Sequence, residues 1–174
     1  MAESIHIRSA TEADASALLA IYRPFVEETA ISFEMVAPTV EEFAARIRKS
    51  LSAWQWLVAE RDEQCLGYAY GSVHRERAGY RWSAEVSAYV NPKHHRQGIG
   101  RALYLELFED LTQTGYCNAY AGITLPNDGS VALHRSVGFE LIGIFKKIGR
   151  KYGQWHDVAW LQRALRDTPP SEPR

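Results

Sequence analysis

Val86-Ser87-Ala88-Tyr89-Val90-Asn91-Pro92-Lys93-His94-His95-Arg96-Gln97-Gly98-Ile99-Gly100-Arg101-Ala102-Leu103 reads as a strand, a sharp loop with two glycines and the start of a helix. The alternation from Trp82 to Val90 suits a strand, and Asn91-Pro92 stops it. From Ile99 the apolar residues recur at Leu103, Leu107 and Leu111, with Ala102 and Leu105 beside them, which is helical spacing. The first turn of a helix carries backbone N–H groups that no helical carbonyl can satisfy. Glycine lets that backbone approach a ligand closely, and the helix dipole favours an anion there. Lys93, Arg96 and Arg101 add positive charge around the same point. The stretch therefore reads as a cradle for a phosphate or pyrophosphate, or, with no ligand, as a helix start softened by glycine. Two common cradles are excluded. A dinucleotide fingerprint needs a third glycine where Leu103 stands, and a P-loop needs a Gly-Lys-Ser/Thr triplet that does not follow here.

The chain has 174 residues, 46% hydrophobic and 24% charged, enough for one domain with a well-buried core. A net charge of −1 gives no reason to expect a nucleic-acid or membrane partner. No apolar run approaches ~20 residues, so no membrane span is expected. Met1-Ala2-Glu3-Ser4-Ile5-His6 lacks a basic segment followed by an apolar one, so no signal peptide is expected either. Cys65 and Cys117 lie in apolar stretches and read as buried thiols of a reducing cytoplasm. The six histidines show no metal-ligand spacing, and no metal is expected.

Residues 5–8 read as a first strand. Thr11-x-x-Asp14 resembles a capping box, and Ala17, Leu18, Ile21, Tyr22 and Phe25 give the next helix its buried face. Pro24 should kink that helix or end it early. Residues 29–34 read as a loop, and Thr39-x-x-Glu42 opens a second helix. Strands follow over 54–60 and 66–73, then a charged loop over 74–81 and the central strand. Gly115 suits the C-terminus of the third helix. Residues 119–124 read as a strand parallel to the fourth if the crossover is right-handed. A short helix passes through Leu133 and His134, and the last antiparallel pair spans 139–148 and 155–165. Residues 1–166 form one domain in this reading, and 167–174, with three prolines, a solvated tail.

His95-Arg96-Gln97-Gly98-Ile99-Gly100 resembles the acyl-CoA pyrophosphate motif of the GNAT N-acetyltransferases, Gln/Arg-x-x-Gly-x-Gly/Ala, with histidine in the first position. The chain is similar to the phosphinothricin (methionine sulfoximine) N-acetyltransferase branch over about residues 5 to 165. Arg8, Ala10-Thr11-Glu12-Ala13-Asp14, Trp56-Leu57-Val58-Ala59-Glu60, Ala84-Glu85, Tyr89-Val90, Leu125-Pro126-Asn127-Asp128, Ser130-Val131 and Trp155-His156-Asp157-Val158 carry that likeness. The resemblance implies an α+β fold. Its centre is a mixed, mostly antiparallel sheet of about seven strands with helices on both faces, and strands four and five are parallel and splayed. It also implies acetyl-CoA as co-substrate, its pyrophosphate held around Arg96, Gln97, Gly98, Ile99, Gly100 and Arg101. Ala88, Tyr89 and Val90 would meet the pantetheine arm through the main chain, and Asn127 would hydrogen-bond it. For Asn127 the plain reading is turn chemistry after Pro126.

Acetyl transfer to an amine requires loss of the ammonium proton, stabilisation of an oxyanion and protonation of the leaving thiolate. Glu85, a carboxylate in an apolar-aromatic strand, is the candidate base, because burial raises a carboxyl pKa. Its plain reading is a surface glutamate or a partner for Arg81. His134, where many acetyltransferases carry a tyrosine, is the candidate acid, and its plain reading is a structural histidine. Arg75 and Arg77 could fork onto an acceptor carboxylate. Phe33 and Glu34 could wall the acceptor pocket, with Glu85, Val86, Ser87 and Thr124 completing it. The expected activity is direct transfer within a ternary complex to a small amino-acid-like amine. The alternatives are acetylation of a protein or peptide amine, and an acyl-CoA sensor without turnover. The aromatic last strands, with Trp155 and His156, suggest a homodimer.

Overall fold

Alternation in the strands divides the core in two. Leu57, Ala59, Ala69, Ala84 and Val86 are buried with Leu103, Leu107 and Leu111, whereas Trp56, Val58 and Tyr68 are buried with Leu18, Leu19, Tyr22, Phe43 and Ile47. The computed structural model describes residues 4–169, so the end of the expected tail, 170–174, lies outside the described residues. Seven strands form one sheet: β1 (His6–Ser9), β2 (Trp56–Arg61), β3 (Gln64–Val73), β4 (Ser83–Val90), β5 (Asn118–Thr124), β6 (Glu140–Lys151) and β7 (Gln154–Ala164). Their order is β1-β2-β3-β4-β5-β7-β6. All neighbours are antiparallel except β4 and β5. Helices α1 (Ala15–Glu27) and α2 (Val40–Leu51) cover one face, and α3 (Ile99–Gln113) covers the other, with α4 (Asp128–Ser136) beside it.

Local chemistry explains the ends of these elements. The Thr39 hydroxyl accepts from the Glu42 N–H at 3.2 Å while Glu42 accepts from the Thr39 N–H at 2.8 Å, a reciprocal cap for α2. The turns after β2 and β6 each place two residues at positive φ, Asp62 and Glu63 in one, Tyr152 and Gly153 in the other. Such turns match the twist of the paired strands. Pro24 does not end α1 early. The helix runs to Glu27, because a proline three residues from the end removes only the bond to the Ala20 carbonyl. The pair closing the sheet also runs longer than its pattern suggests, β6 reaching Lys151. A register shift between Phe145 and Gly149, with Lys147 at φ 50°, breaks the alternation that would reveal the strand.

The parallel pair positions the site. Strands β4 and β5 are in register only at Ser83–Asn118, Ala84–Ala119 and Glu85–Tyr120. From Val86 onward β4 keeps its partner β3 but has no ladder with β5, which turns to β7. The sheet is thus open on one side of β4, between Glu85 and the start of α3.

Candidate active site

At the upper end of this opening, Gly98 caps α3 at φ +80°. A side chain there would meet nothing within 4 Å, so the backbone angle and not space requires glycine. Gly100 differs. A Cβ on it would come 2.8 Å from Leu133 Cδ2, so its bareness lets α4 close against the first turn of α3. The N–H groups of Ile99, Gly100 and Arg101 belong to that turn and have no helical acceptor. They suit a diphosphate, which is anionic and rich in acceptors. His95 Nε2 lies 3.0 Å from the Val90 carbonyl oxygen, so the residue that departs from the motif ties the loop back to β4. Gln97 accepts from Arg61 Nη1 at 3.3 Å. The Arg101 side chain lines a separate cavity of about 590 Å³ with Leu105, Gly138 and Arg163. The Ile99 side chain is buried, which leaves its N–H as the group it could offer an anion. Tyr89 packs edge-on against Tyr22 and tilted against Phe25 and Tyr68, so only its main chain faces the opening. Asn127 accepts from the Ser130 N–H at 3.1 Å and caps α4.

At the lower end stands Glu85, its side chain 32% exposed. Burial raises its carboxyl above the usual range, opposed by His74 and Arg75. His74 Nδ1 is 3.5 Å from Glu85 Oε2. The His74 ring lies parallel to Tyr120 at 4.4 Å and edge-on to Trp160 at 5.7 Å. The Arg75 guanidinium sits 5.8 Å from the centre of the Trp160 ring. Arg77 is exposed, and its carbonyl accepts from the Tyr80 N–H. Ser87 pairs with Tyr70 across the β3–β4 ladder. The Val86 side chain is buried on the α3 face, opposite to Glu85 and Ser87, which leaves its main chain for any acceptor contact.

The loop after α1 closes the acceptor side. Thr124 Oγ1 donates to the Ile31 carbonyl at 3.5 Å. The Phe33 ring occupies the space where a Gly149 side chain would stand and is 6.1 Å from the His156 ring. Glu34 accepts from Arg46 at 2.6 and 3.1 Å and from the Tyr22 hydroxyl at 3.1 Å. Glu34 and Arg46 border a groove of about 510 Å³ whose other walls include Trp54, Trp56, Tyr70 and Ser72. Ser72 is the ladder partner of Glu85, so this wall of the groove lies on the strand beside it. His74, Arg46, Tyr70 and Trp54 escape a reading of the sequence. His74 stands among charged loop residues, and α2 shows only a polar face at Arg46.

His134 is elsewhere, between α3 and α4, and 5% exposed. Its Nδ1 is 2.7 Å from the Ser130 carbonyl oxygen, which can only accept, so Nδ1 carries the hydrogen. Nε2 then accepts from the Tyr104 hydroxyl at 2.9 Å. Burial lowers the His134 pKa and holds the ring neutral. A ring so placed gives up a proton only by breaking its bond to α4. Among the described residues, no group of three His, Cys, Asp or Glu side chains could hold a metal ion.

The family model for the GNAT acetyltransferase domain matches residues 7–160. The L-methionine sulfoximine/L-methionine sulfone acetyltransferase of Salmonella typhimurium is 32% identical, covering 91% of this chain and 94% of its own. The crystal structure of the phosphinothricin acetyltransferase of Sinorhizobium meliloti in complex with AcCoA superposes with a TM-score of 0.91 at 34% identity, covering 99% of this chain and 94% of that one. The ribosomal-protein-alanine N-acetyltransferase of Brucella melitensis superposes with a TM-score of 0.88 at 39% identity, covering 91% and 99%.

Proposed function

The chain belongs to the GNAT acetyltransferase family, and from that premise we propose that it acetylates the amino group of a small amino-acid-like acceptor such as phosphinothricin, methionine sulfoximine or methionine sulfone. It is an N-acetyltransferase with acetyl-CoA as co-substrate, which supplies the activated acetyl group. The first turn of α3 binds the diphosphate through the N–H groups of Ile99, Gly100 and Arg101. The main chain at Ala88, Tyr89 and Val90, left without a ladder to β5, accepts the amide-bearing arm, with Asn127 at its side. Both substrates are then held together for direct transfer, and this proximity supplies much of the acceleration.

Glu85 takes the proton from the acceptor ammonium, and the freed amine attacks the thioester carbon. As the carbon–sulfur bond breaks, the same carboxyl returns its proton to sulfur, and the regenerated carboxylate takes the second proton from the new amide nitrogen and passes it to water. A thiol of pKa ~8.5 leaves readily enough to need no stronger acid. This replaces the acid role expected of His134, which we assign to docking α4 on α3. Arg75, Arg77 and Arg46 are the candidates to bind the acceptor carboxylate or its phosphinate or sulfoximine oxygens, with Phe33, Ser87 and Thr124 around them. The half-buried Glu85, at the point where β5 leaves β4, is the observation that carries this reading.

The purified chain should release CoA from acetyl-CoA when phosphinothricin, methionine sulfoximine or methionine sulfone is added. No release with any amine would leave only an acyl-CoA sensor. The similarity to a ribosomal-protein-alanine acetyltransferase favours a second reading, acetylation of an alanine N-terminus. Preference for an Ala-initiated peptide over every free amino acid would establish it.

We also propose a homodimer through β6. Strand β6 is the last in the sheet and exposes Leu141, Ile142, Ile144, Phe145 and Ile148, an apolar edge that a second copy would cover. A cytoplasmic site agrees with the two free cysteines. Acetylating an amino-acid antimetabolite there would confer resistance to it.

A further inference from the structure

We propose that His74 is the positioning residue for Glu85, a reading that rests on Glu85 as the base. The ladder pairs Ser72 with Glu85 and Val73 with Ala84, so the first residue beyond β3 is delivered to the rim of the carboxylate. The His74 side chain is only 12% exposed. Tyr120 on one side and Trp160 at the edge fix its ring plane. Nδ1 is buried without a hydrogen bond, although buried ring nitrogens normally have one. The acceptor in front of it is Glu85 Oε2 at 3.5 Å, a gap that closes to bonding distance when a substrate tightens the site.

With its hydrogen on Nδ1, His74 selects one orientation of the carboxylate and favours its ionised form. Glu85 can then be half-buried, and so a stronger base than a surface glutamate, and still be ionised at neutral pH. The charged and titratable groups around the pair are Arg75 beyond β3, Tyr70 on β3 and Tyr120 on β5. None of these replaces the directed donor. Arg75 lies out over Trp160, and Tyr70 stands on β3 opposite Ser87, two residues from Ser72, the ladder partner of Glu85.

The test is the pH profile of variants. His74→Phe keeps the stack and removes the donor. It should lower kcat about 10- to 100-fold, leave the KM for acetyl-CoA unchanged, and move the acidic limb to higher pH. His74→Asn restores a donor near Nδ1 and should recover most of the rate and the original limb. Glu85→Gln combined with His74→Phe should be no slower than Glu85→Gln alone, since both changes act through one group. A wild-type rate and limb in His74→Phe, with Glu85→Gln inactive, would overturn the role of His74 alone. Full turnover by Glu85→Gln would instead remove the base itself. Should His74→Phe fail to fold, nitrogen NMR of the wild-type imidazole decides: a hydrogen on Nδ1 coupled to the Glu85 carboxylate supports the proposal, and a bare Nδ1 refutes it.

Discussion

Glu85 illustrates how a single side chain is tuned by its surroundings. Burial pushes its carboxyl upward, while His74 and Arg75 pull it back towards the ionised form. The base works only when deprotonated, so kcat/KM should rise with pH through this pKa. The acidic limb should lie above the ordinary glutamate value of about 4.3. Glu85→Gln should abolish that limb and lower kcat by about 10²- to 10⁴-fold, with acetyl-CoA affinity, read by calorimetry, near that of the parent. His134 bears on stability instead. Its pKa is lowered in the folded chain, so between that value and the ordinary ~6.5 the unfolded chain binds more protons. Stability should therefore fall as the pH drops below about 6.5. Thermal melts should show the fall in the parent and a smaller one in His134→Gln. The sequence offers Glu85 because a lone carboxylate interrupts an apolar strand. It cannot show that His74 stands against it, since ten intervening residues form the end of a hairpin.

Two elements carry devices that local pattern reveals unequally. The two glycines at the start of α3 are visible as a pair, but their separate duties are not. Gly98→Ala meets no neighbour, yet must hold a left-handed angle that costs an alanine about 1–2 kcal/mol. It should weaken acetyl-CoA binding without disturbing the seating of α4, and Gly98→Asn should be milder. At the tip of the last hairpin, Lys151 is fully buried, its ammonium donating to the Val26 carbonyl at 2.5 Å and the Ser32 carbonyl at 2.7 Å. Tyr152 donates to the carbonyls of Val26 and Glu27. A cation and a hydroxyl thus satisfy the open C-terminal carbonyls of α1 and hold the loop that carries Phe33 and Glu34. Lys151→Met should raise the KM for the acceptor severalfold while the KM for acetyl-CoA stays put. Equal effects on both constants in steady-state kinetics would refute the staple. No periodicity announces this lysine, because its partners are backbone atoms some 120 residues away in sequence.

For the whole molecule, the open parallel pair and the apolar β6 edge are the two large features. Phe145 is 46% exposed on that edge. Phe145→Glu should convert a dimer to a monomer in light scattering at micromolar concentration. A parent chain that is already monomeric would refute the edge as an interface. The order of strands and helices, the cap at Thr39 and the paired glycines at the start of α3 were determined by the sequence alone, because they depend on neighbours within a few residues. Only the tertiary structure decided that Val86 turns away from the site, that His134 is locked to Tyr104 and Ser130, and that His74 and Lys151 reach their partners. Those outcomes depend on which face of a strand is buried and on contacts between segments distant in the chain, and no local run of residues encodes either.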